Sequence, residues 1–393
     1  MMNGFEFRLP TDVFFGTGRI QDIGKKTRSL GKRAFVVSGA MGKTSGALGK
    51  VVGLLEKAGI GCVVFDEVER QPGLDTIERG AAAARKEKCD VTIGVGGECP
   101  MDAAKIMGLL AGDTSIKGDL FGDFAVERPG LPVITVPLTA GSGSEVTPFA
   151  ALTVKDPVHQ IRPVASPYLF PVMAFVDPTF TTSFPSPVTV NNGIDALCHC
   201  LEAYVSRTSQ PLTDTLALEG IRIVRNALPE VLANPQNLEG RREMSYAALL
   251  GGIVSAQTGI GLVHQVGSYL TLDLGLAHGA ANGTALNAVL EYLLERRLDR
   301  IRPLAHSLGV TLKGIESETA VKEILRSLSV FFHRVGFRIQ IDKAHISAET
   351  INRYAEGTFR NREYSWSGWD EMGLEEIKTV FRNALLSEGE GSP

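Results

Sequence analysis

Cysteine is scarce in this chain of 393 residues: Cys62, Cys89, Cys99, Cys198 and Cys200 are five, an odd number, and never spaced C-x-x-C. That argues against a disulfide framework and a cysteine-based metal site, and makes reduced thiols in a cytoplasmic protein the expectation. Apolar runs of membrane-spanning length are missing, and residues 1–8 lack the apolar core of a signal peptide. A basic excess is missing too. Lys and Arg total 40 against 44 Asp and Glu, a net charge of −4, which speaks against nucleic acid as a partner. There are no internal repeats, and only residues 387–393 read as a disordered tail.

What is present is the composition of a soluble globular protein, 44% hydrophobic and 21% charged, with a length that favours two domains. Val- and Ile-rich runs at 33–39, 61–66, 90–97 and 131–137 alternate with helical patterns at 45–58, 74–88 and 100–110. Continuous β-branched runs separated by amphipathic helices imply a parallel sheet covered on both faces. Runs at 151–154 and 173–177 read as two further strands. Beyond the Pro/Ser cluster at 184–187, helical patterns take over at 196–206, 213–227, 240–256, 282–297, 320–335 and 374–386. The fold class expected is α/β: a Rossmann-like parallel-sheet domain over 1–185 followed by an all-helical domain over 186–393.

Three stretches carry chemistry. The first, Asn192 to Tyr204, sets Asp195 and His199 four residues apart in a helix-forming run, hence on one helix face. An oxygen donor beside an imidazole suits Fe²⁺, Zn²⁺ or a similar divalent ion. An ordinary hydrogen-bonded pair has the same spacing, so the pair alone leaves both readings open. His264 and His278 are candidates for further ligands. His159, His306, His333 and His345 lack partners at ligand spacing and read as structural. Cys198 and Cys200 flank His199 but point off its face.

The second stretch, Gly94-Val95-Gly96-Gly97-Glu98-Cys99-Pro100-Met101-Asp102, follows a strand and opens a helix. With Pro100 in the first turn, Cys99 is the expected N-cap and Asp102 the N3 residue. Backbone N–H groups at such a turn bind phosphate, although a tight turn needs no ligand. The third, Leu138-Thr139-Ala140-Gly141-Ser142-Gly143-Ser144, is a hydroxyl-rich loop at the carboxyl end of a strand, where α/β sheets bind ligands.

Together these stretches resemble the iron-containing (group III) alcohol dehydrogenases. The family's GGGSPxDxAK turn is similar to residues 96–105, its TTAGTGSEVT loop to 138–147, its GxDAxxHxxEAY helix to 193–204 and its HGxxN element to 278–282. The resemblance implies a dinucleotide-binding domain joined to a metal-binding domain with the metal in the cleft. It implies Asp195, His199, His264 and His278 as catalytic metal ligands, with Fe²⁺ usual and Zn²⁺ the alternative. The cofactor-binding residues expected are Gly39, Gly96, Gly97, Glu98, Asp102, Leu138, Thr139, Ser142 and Ser144.

Several positions depart from the family pattern. Glu98 and Cys99 replace a glycine and a serine, Leu138 replaces a threonine, and Ser268 stands where many members have a histidine. Gly39 stands where NAD-preferring members carry Asp. With Lys43 nearby, NADP(H) is favoured over NAD(H). A small alcohol or aldehyde substrate and a homodimer or higher homo-oligomer are expected, with no membrane or nucleic-acid partner. The alternatives are a zinc polyol (glycerol-type) dehydrogenase, a dehydroquinate-synthase-like lyase, or a catalytically impaired nucleotide-binding relative. An aromatic cluster of Tyr364, Trp366 and Trp369 reads as packing.

Overall fold

The computed structural model describes residues 4–112, 120, 126, 128–154, 160–338, 341, 346–361, 369 and 371–386. His159, His345, Tyr364, Trp366 and the tail from 387 lie outside the described residues. The chain divides into two compact units, Arg8–Phe184 and Met1–Phe7 with Pro185–Pro393. Glu6 joins the second unit through its carbonyl, which accepts a hydrogen bond from Gln210 Nε2 at 2.9 Å.

The first unit runs β1 (Asp12–Phe15), α1 (Ile23–Thr27), β2 (Arg33–Gly39), α2 (Ala40–Thr44), α3 (Ala47–Lys57), β3 (Gly61–Val68) and α4 (Leu74–Lys86). It continues with β4 (Val91–Gly96), α5 (Glu98–Gly112), β5 (Val133–Pro137), β6 (Phe149–Val154), β7 (Gln160–Ala165) and β8 (Met173–Val176). Six strands form one parallel sheet in the order β1-β8-β5-β4-β2-β3. Both faces are buried. Ala34 and Val36 of β2 pack with Val51 and Leu55 of α3, while Phe35 and Val37 pack with Ile77 of α4 and Ile106 of α5. That double burial explains why these strands are continuously apolar rather than alternating.

The strand order fixes where a ligand would sit. From β2 the chain goes outward to β3, then crosses back over β2 to β4 and β5. The crevice at such a reversal lies beyond the carboxyl ends of the two strands flanking it. Gly39 ends β2 and Gly96 ends β4, so both stand at that crevice.

Several elements differ from expectation. The helix expected over 45–58 is present as α3, starting after Gly46, whose φ of +75° only glycine adopts freely, and a short α2 not expected from the pattern precedes it. β6 does not join the parallel sheet; it pairs antiparallel with β7, which was not anticipated. β7 contains Pro163, which a two-stranded ladder tolerates on its open edge. β1, only four residues long, also escaped the pattern.

Among the described residues the second unit is helical: α6 (Ser186–Val205), α7 (Pro211–Ala233), α8 (Leu238–Thr258), α9 (Leu262–Leu274), α10 (His278–Leu294), α11 (Ile301–Ser307), α12 (Ser317–Arg334), α13 (Ala348–Asn361) and α14 (Leu374–Leu386). No single described helix is long and apolar enough to cross a membrane. α6 starts well before the expected 196, because Pro187 sits in its first turn, where the missing N–H costs nothing. α9 was missed because it is buried on nearly all sides and lacks an amphipathic period.

Phe175 of β8 is fully buried and stacks on Phe14 of β1 with ring centroids 4.7 Å apart. Phe175→Ala is expected to destabilise the chain by about 3–5 kcal/mol. Urea unfolding should show a lower midpoint with an unchanged slope.

Candidate functional site

Three helices of the second unit converge on one buried point. α6 carries Asp195 and His199 on one face, α9 carries His264, and α10 begins at His278. α10 starts hard against α6: a Cβ on Gly279 would overlap the Asn191 carbonyl oxygen, so only glycine allows that approach. Asp195, His199 and His264 are each 5% exposed, and one ligand atom from each lies within 4.8 Å of the others. His278 stands at the edge, its Nε2 3.9 Å from Asp195 Oδ1. The structure therefore gathers the four residues singled out in the sequence, three tightly and one beside them. His306 and His333 lie exposed on α11 and α12.

Neighbouring groups fix which nitrogens face the cluster. His199 Nδ1 donates to the Asp195 backbone carbonyl at 2.9 Å, which leaves Nε2 with the lone pair. His264 Nδ1 donates to the Glu202 carboxylate, whose other oxygen accepts the Val263 N–H at 2.5 Å. His264 Nε2 is buried without a hydrogen-bond partner, 3.7 Å from Asp195 Oδ1. The Asn282 amide donates to Asp195 Oδ1 at 2.8 Å and to His278 Nε2 at 3.1 Å.

Burial pushes His199 down to about 3, with the charge of His264 adding to the effect. Burial also opposes ionisation of Asp195, but His199, His278 and His264 outweigh it and hold the carboxyl well below its usual range. Burial likewise lowers His264, yet Glu202 and Asp195 overcome it and raise the imidazole above its ordinary range.

This donor set fits a divalent cation. It combines a buried carboxylate, imidazoles whose Nδ1–H is tied down, and an orphaned buried Nε2 aimed at the carboxylate. A carboxylate behind a histidine is the usual outer support of such a ligand. Glu202 falls within the 193–204 motif, and its position three residues after His199, on the same helix face, is the sequence signal for this role. A cavity of about 600 Å³ in this unit touches Glu202, Gly261 and Leu262 but none of the four cluster residues.

The crevice of the first unit is built differently from expectation. α5 starts at Glu98, not Pro100, so Cys99 is not its N-cap and Asp102 is not its N3 residue. The Gly97 carbonyl accepts the Met101 N–H at 3.4 Å, as the residue before the helix should. A Cβ on Gly96 would meet Pro100 Cγ at 2.6 Å, which explains that glycine beside the proline. Glu98, half-buried in the first turn, sits at the positive helix end. Burial pushes the Cys99 thiol up to about 12, so it is inert.

Asp102 and Ser144 face each other rather than open space. Asp102 Oδ1 accepts from the Ser144 hydroxyl at 2.5 Å and from Lys105 Nζ at 3.1 Å, and Oδ2 accepts the Ala151 N–H at 2.8 Å. Lys105, fully buried, also donates to Ser144 Oγ at 2.8 Å, Thr147 Oγ1 at 3.0 Å and the Phe149 carbonyl at 2.8 Å. Burial lowers its ammonium from the ordinary value, and Asp102 pulls the other way. The knot ties α5 to the hydroxyl-rich loop and to β6.

Leu138 is fully buried among core residues, and its N–H donates to the Gly96 carbonyl at 2.8 Å. Ser142 accepts the Ser144 N–H at 3.3 Å. Thr139 is half-buried, and a Cβ on Gly97 would lie 3.5 Å from its hydroxyl. Gly39, Gly96, Gly97 and Thr139 thus stand at the crevice, while Asp102, Leu138 and Ser144 support it from beneath.

Comparison with known proteins finds matches to both units of the chain. The family model for iron-containing alcohol dehydrogenase matches residues 10–178, and the C-terminal model of the same family matches 189–385. The chain is 28% identical to an NAD-dependent methanol dehydrogenase of Bacillus methanolicus, over 96% of this chain and 99% of that one. It is 30% identical to a 1,3-propanediol dehydrogenase of Citrobacter freundii, over 97% and 99%. An iron-containing alcohol dehydrogenase structure from Thermotoga maritima superposes with a TM-score of 0.85 at 34% identity, covering 97% of this chain and 99% of that one.

Lys105→Met leaves the Asp102 charge buried without its cation. Breaking a buried pair this way is expected to cost about 3–5 kcal/mol in chemical denaturation. The double variant with Asp102→Asn should regain part of the loss, since the two residues are coupled.

Proposed function

We infer from the family to which this chain belongs, the iron-containing alcohol dehydrogenases, that it transfers hydride between a nicotinamide dinucleotide and a small alcohol or aldehyde. The ligands proposed for its metal are Asp195, His199, His264 and His278, with Fe²⁺ as the native ion and Zn²⁺ as the alternative. The observation that carries this reading is the buried three-residue cluster with the orphaned His264 Nε2. NADP(H) is proposed over NAD(H), because Gly39 offers no carboxylate at the end of β2 and Lys43 follows it on α2. The relative from Bacillus methanolicus is NAD-dependent, so this preference rests on the local residues alone. The free cysteines fit a reducing, cytoplasmic setting.

When bound, the ion supplies Lewis acidity at the substrate oxygen and the reduced nicotinamide supplies the hydride. The protein residues hold the geometry. Glu202 holds one proton of His264 on Nδ1, so Nε2 is the nitrogen turned toward the cluster. The Asp195 carbonyl does the same for His199. Asn282 steadies Asp195 Oδ1 and must release His278 Nε2 before that nitrogen can serve as a ligand. The Ser268 hydroxyl donates to the His264 carbonyl at 2.7 Å, which braces α9 rather than the substrate.

Removal of the metal with a chelator should abolish turnover on short aldehydes with NADPH, and Fe²⁺ or Zn²⁺ should restore it. His264→Ala should lower bound metal and turnover together. Retention of both would sink the ligand assignment.

Metal affinity should depend on pH with a defined sign. His264 is raised above the ordinary imidazole range without metal, so at neutral pH loading displaces its proton. Affinity should therefore fall as pH falls, by about tenfold per unit for one proton. Glu202→Gln should loosen the ion about 10–100-fold. Competition with a chromophoric chelator reads both effects, and a flat profile would contradict the assigned proton.

A further inference from the structure

Gly39 and Lys43 leave one charge at the crevice edge unexplained. Lys43 Nζ lies 3.1 Å from Asp66 Oδ2. Lys43 sits on α2, directly after β2, and Asp66 sits on the neighbouring edge strand β3. The register between those strands shifts at this point. Val37 pairs with Phe65, but Gly39 pairs with Val68, so two steps along β2 match three along β3. Asp66 and Glu67 therefore share a bulge beside the carboxyl end of β2. Bulges turn side chains in new directions and gather next to functional sites. Here the two acids part: Glu67 pairs with Arg79 at 3.5 Å, while Asp66 pairs with Lys43.

Position 39 cannot take over the role of Asp66. A Cβ there would lie 2.6 Å from the Val68 carbonyl oxygen, so a carboxylate at the end of β2 is shut out sterically. A carboxylate at this edge must come from the neighbouring strand. The Lys43–Asp66 pair is also easily exchanged: its side chains are 48% and 36% exposed, and such pairs are weak and screened by salt.

We propose that Asp66 is a specificity-determining residue for the dinucleotide: it competes with a ribose 2′-phosphate for Lys43 and so limits the preference for NADP(H). The proposal rests on the reading that this crevice binds a nicotinamide dinucleotide. Without the phosphate, the Lys43 ammonium is neutralised by Asp66. With it, Lys43 must turn from Asp66 to the phosphate, and the Asp66 carboxylate is left facing a group of like charge. NAD(H), which lacks that group, does not disturb the pair.

The test is titration of the intact protein with NADPH and with NADH, followed by nicotinamide fluorescence. Asp66→Asn should tighten NADPH about three- to tenfold and leave NADH unchanged. The gain should vanish in Asp66→Asn/Lys43→Met and shrink in 1 M salt, where the screening length falls to about 3 Å. Asp66→Ser gives the same reading if the amide disturbs the bulge. Unchanged NADPH affinity in both variants would overturn the proposal. So would a loss of NADH affinity alone, which would make Asp66 an acceptor for the ribose hydroxyl. Binding of neither dinucleotide by the unaltered protein would instead defeat the reading beneath it.

Discussion

A carboxylate buried away from water must be answered by donors or by a cation, and Asp195 imposes that condition on the helical unit. Its solvation cost is several kcal/mol unless partners replace the lost water. α6 supplies His199, α10 supplies Asn282 and His278, and α9 supplies His264. Behind His264 stands a second buried carboxylate, Glu202, which also receives the first-turn N–H of Val263. Two carboxylates and three imidazoles packed this closely balance best around a positive ion. The same condition explains local sequence: Gly261 and Gly279 are needed where a Cβ would strike Glu202 or the α6 backbone.

The α/β unit meets its own constraint with a different device. The crevice at the ends of β2 and β4 is formed by backbone and small residues. Lys105 and Asp102 fix the adjoining hydroxyl-rich loop and β6, with one hydrogen bond between them and five to their surroundings. Fixing the loop before a ligand arrives removes part of the ordering cost of binding. A buried ion pair is a costly way to do this, and its geometry ties Asp102 and Ser144 to Lys105 and β6.

What the sequence made legible follows from period and position. Asp195 and His199 share a face because four residues make about one helical turn. The glycine turns fall at strand ends because continuous apolar runs mark a parallel sheet, whose ligands gather there. The link from these to His264 and His278 required the resemblance, since no local pattern brings α9 and α10 against α6. Tertiary contacts decided the rest. Asp102 reads as a helix-end acid until Lys105 and the Ala151 N–H are seen to claim it. Leu138 occupies a hydroxyl position in the family pattern, yet lies in the core. β6 looks like one more sheet strand until β7 pairs with it. The Lys43–Asp66 pair depends on a register shift that composition does not encode.

The most direct test of the metal centre is location of the ion itself. Crystals loaded with Fe²⁺ without oxygen, measured at the iron absorption edge, should show one anomalous peak bounded by Asp195, His199, His264 and His278. His278 Nε2 should have turned from Asn282 to the ion. A peak elsewhere, or none at saturating Fe²⁺ or Zn²⁺, would contradict the assignment of that cluster as the site of chemistry.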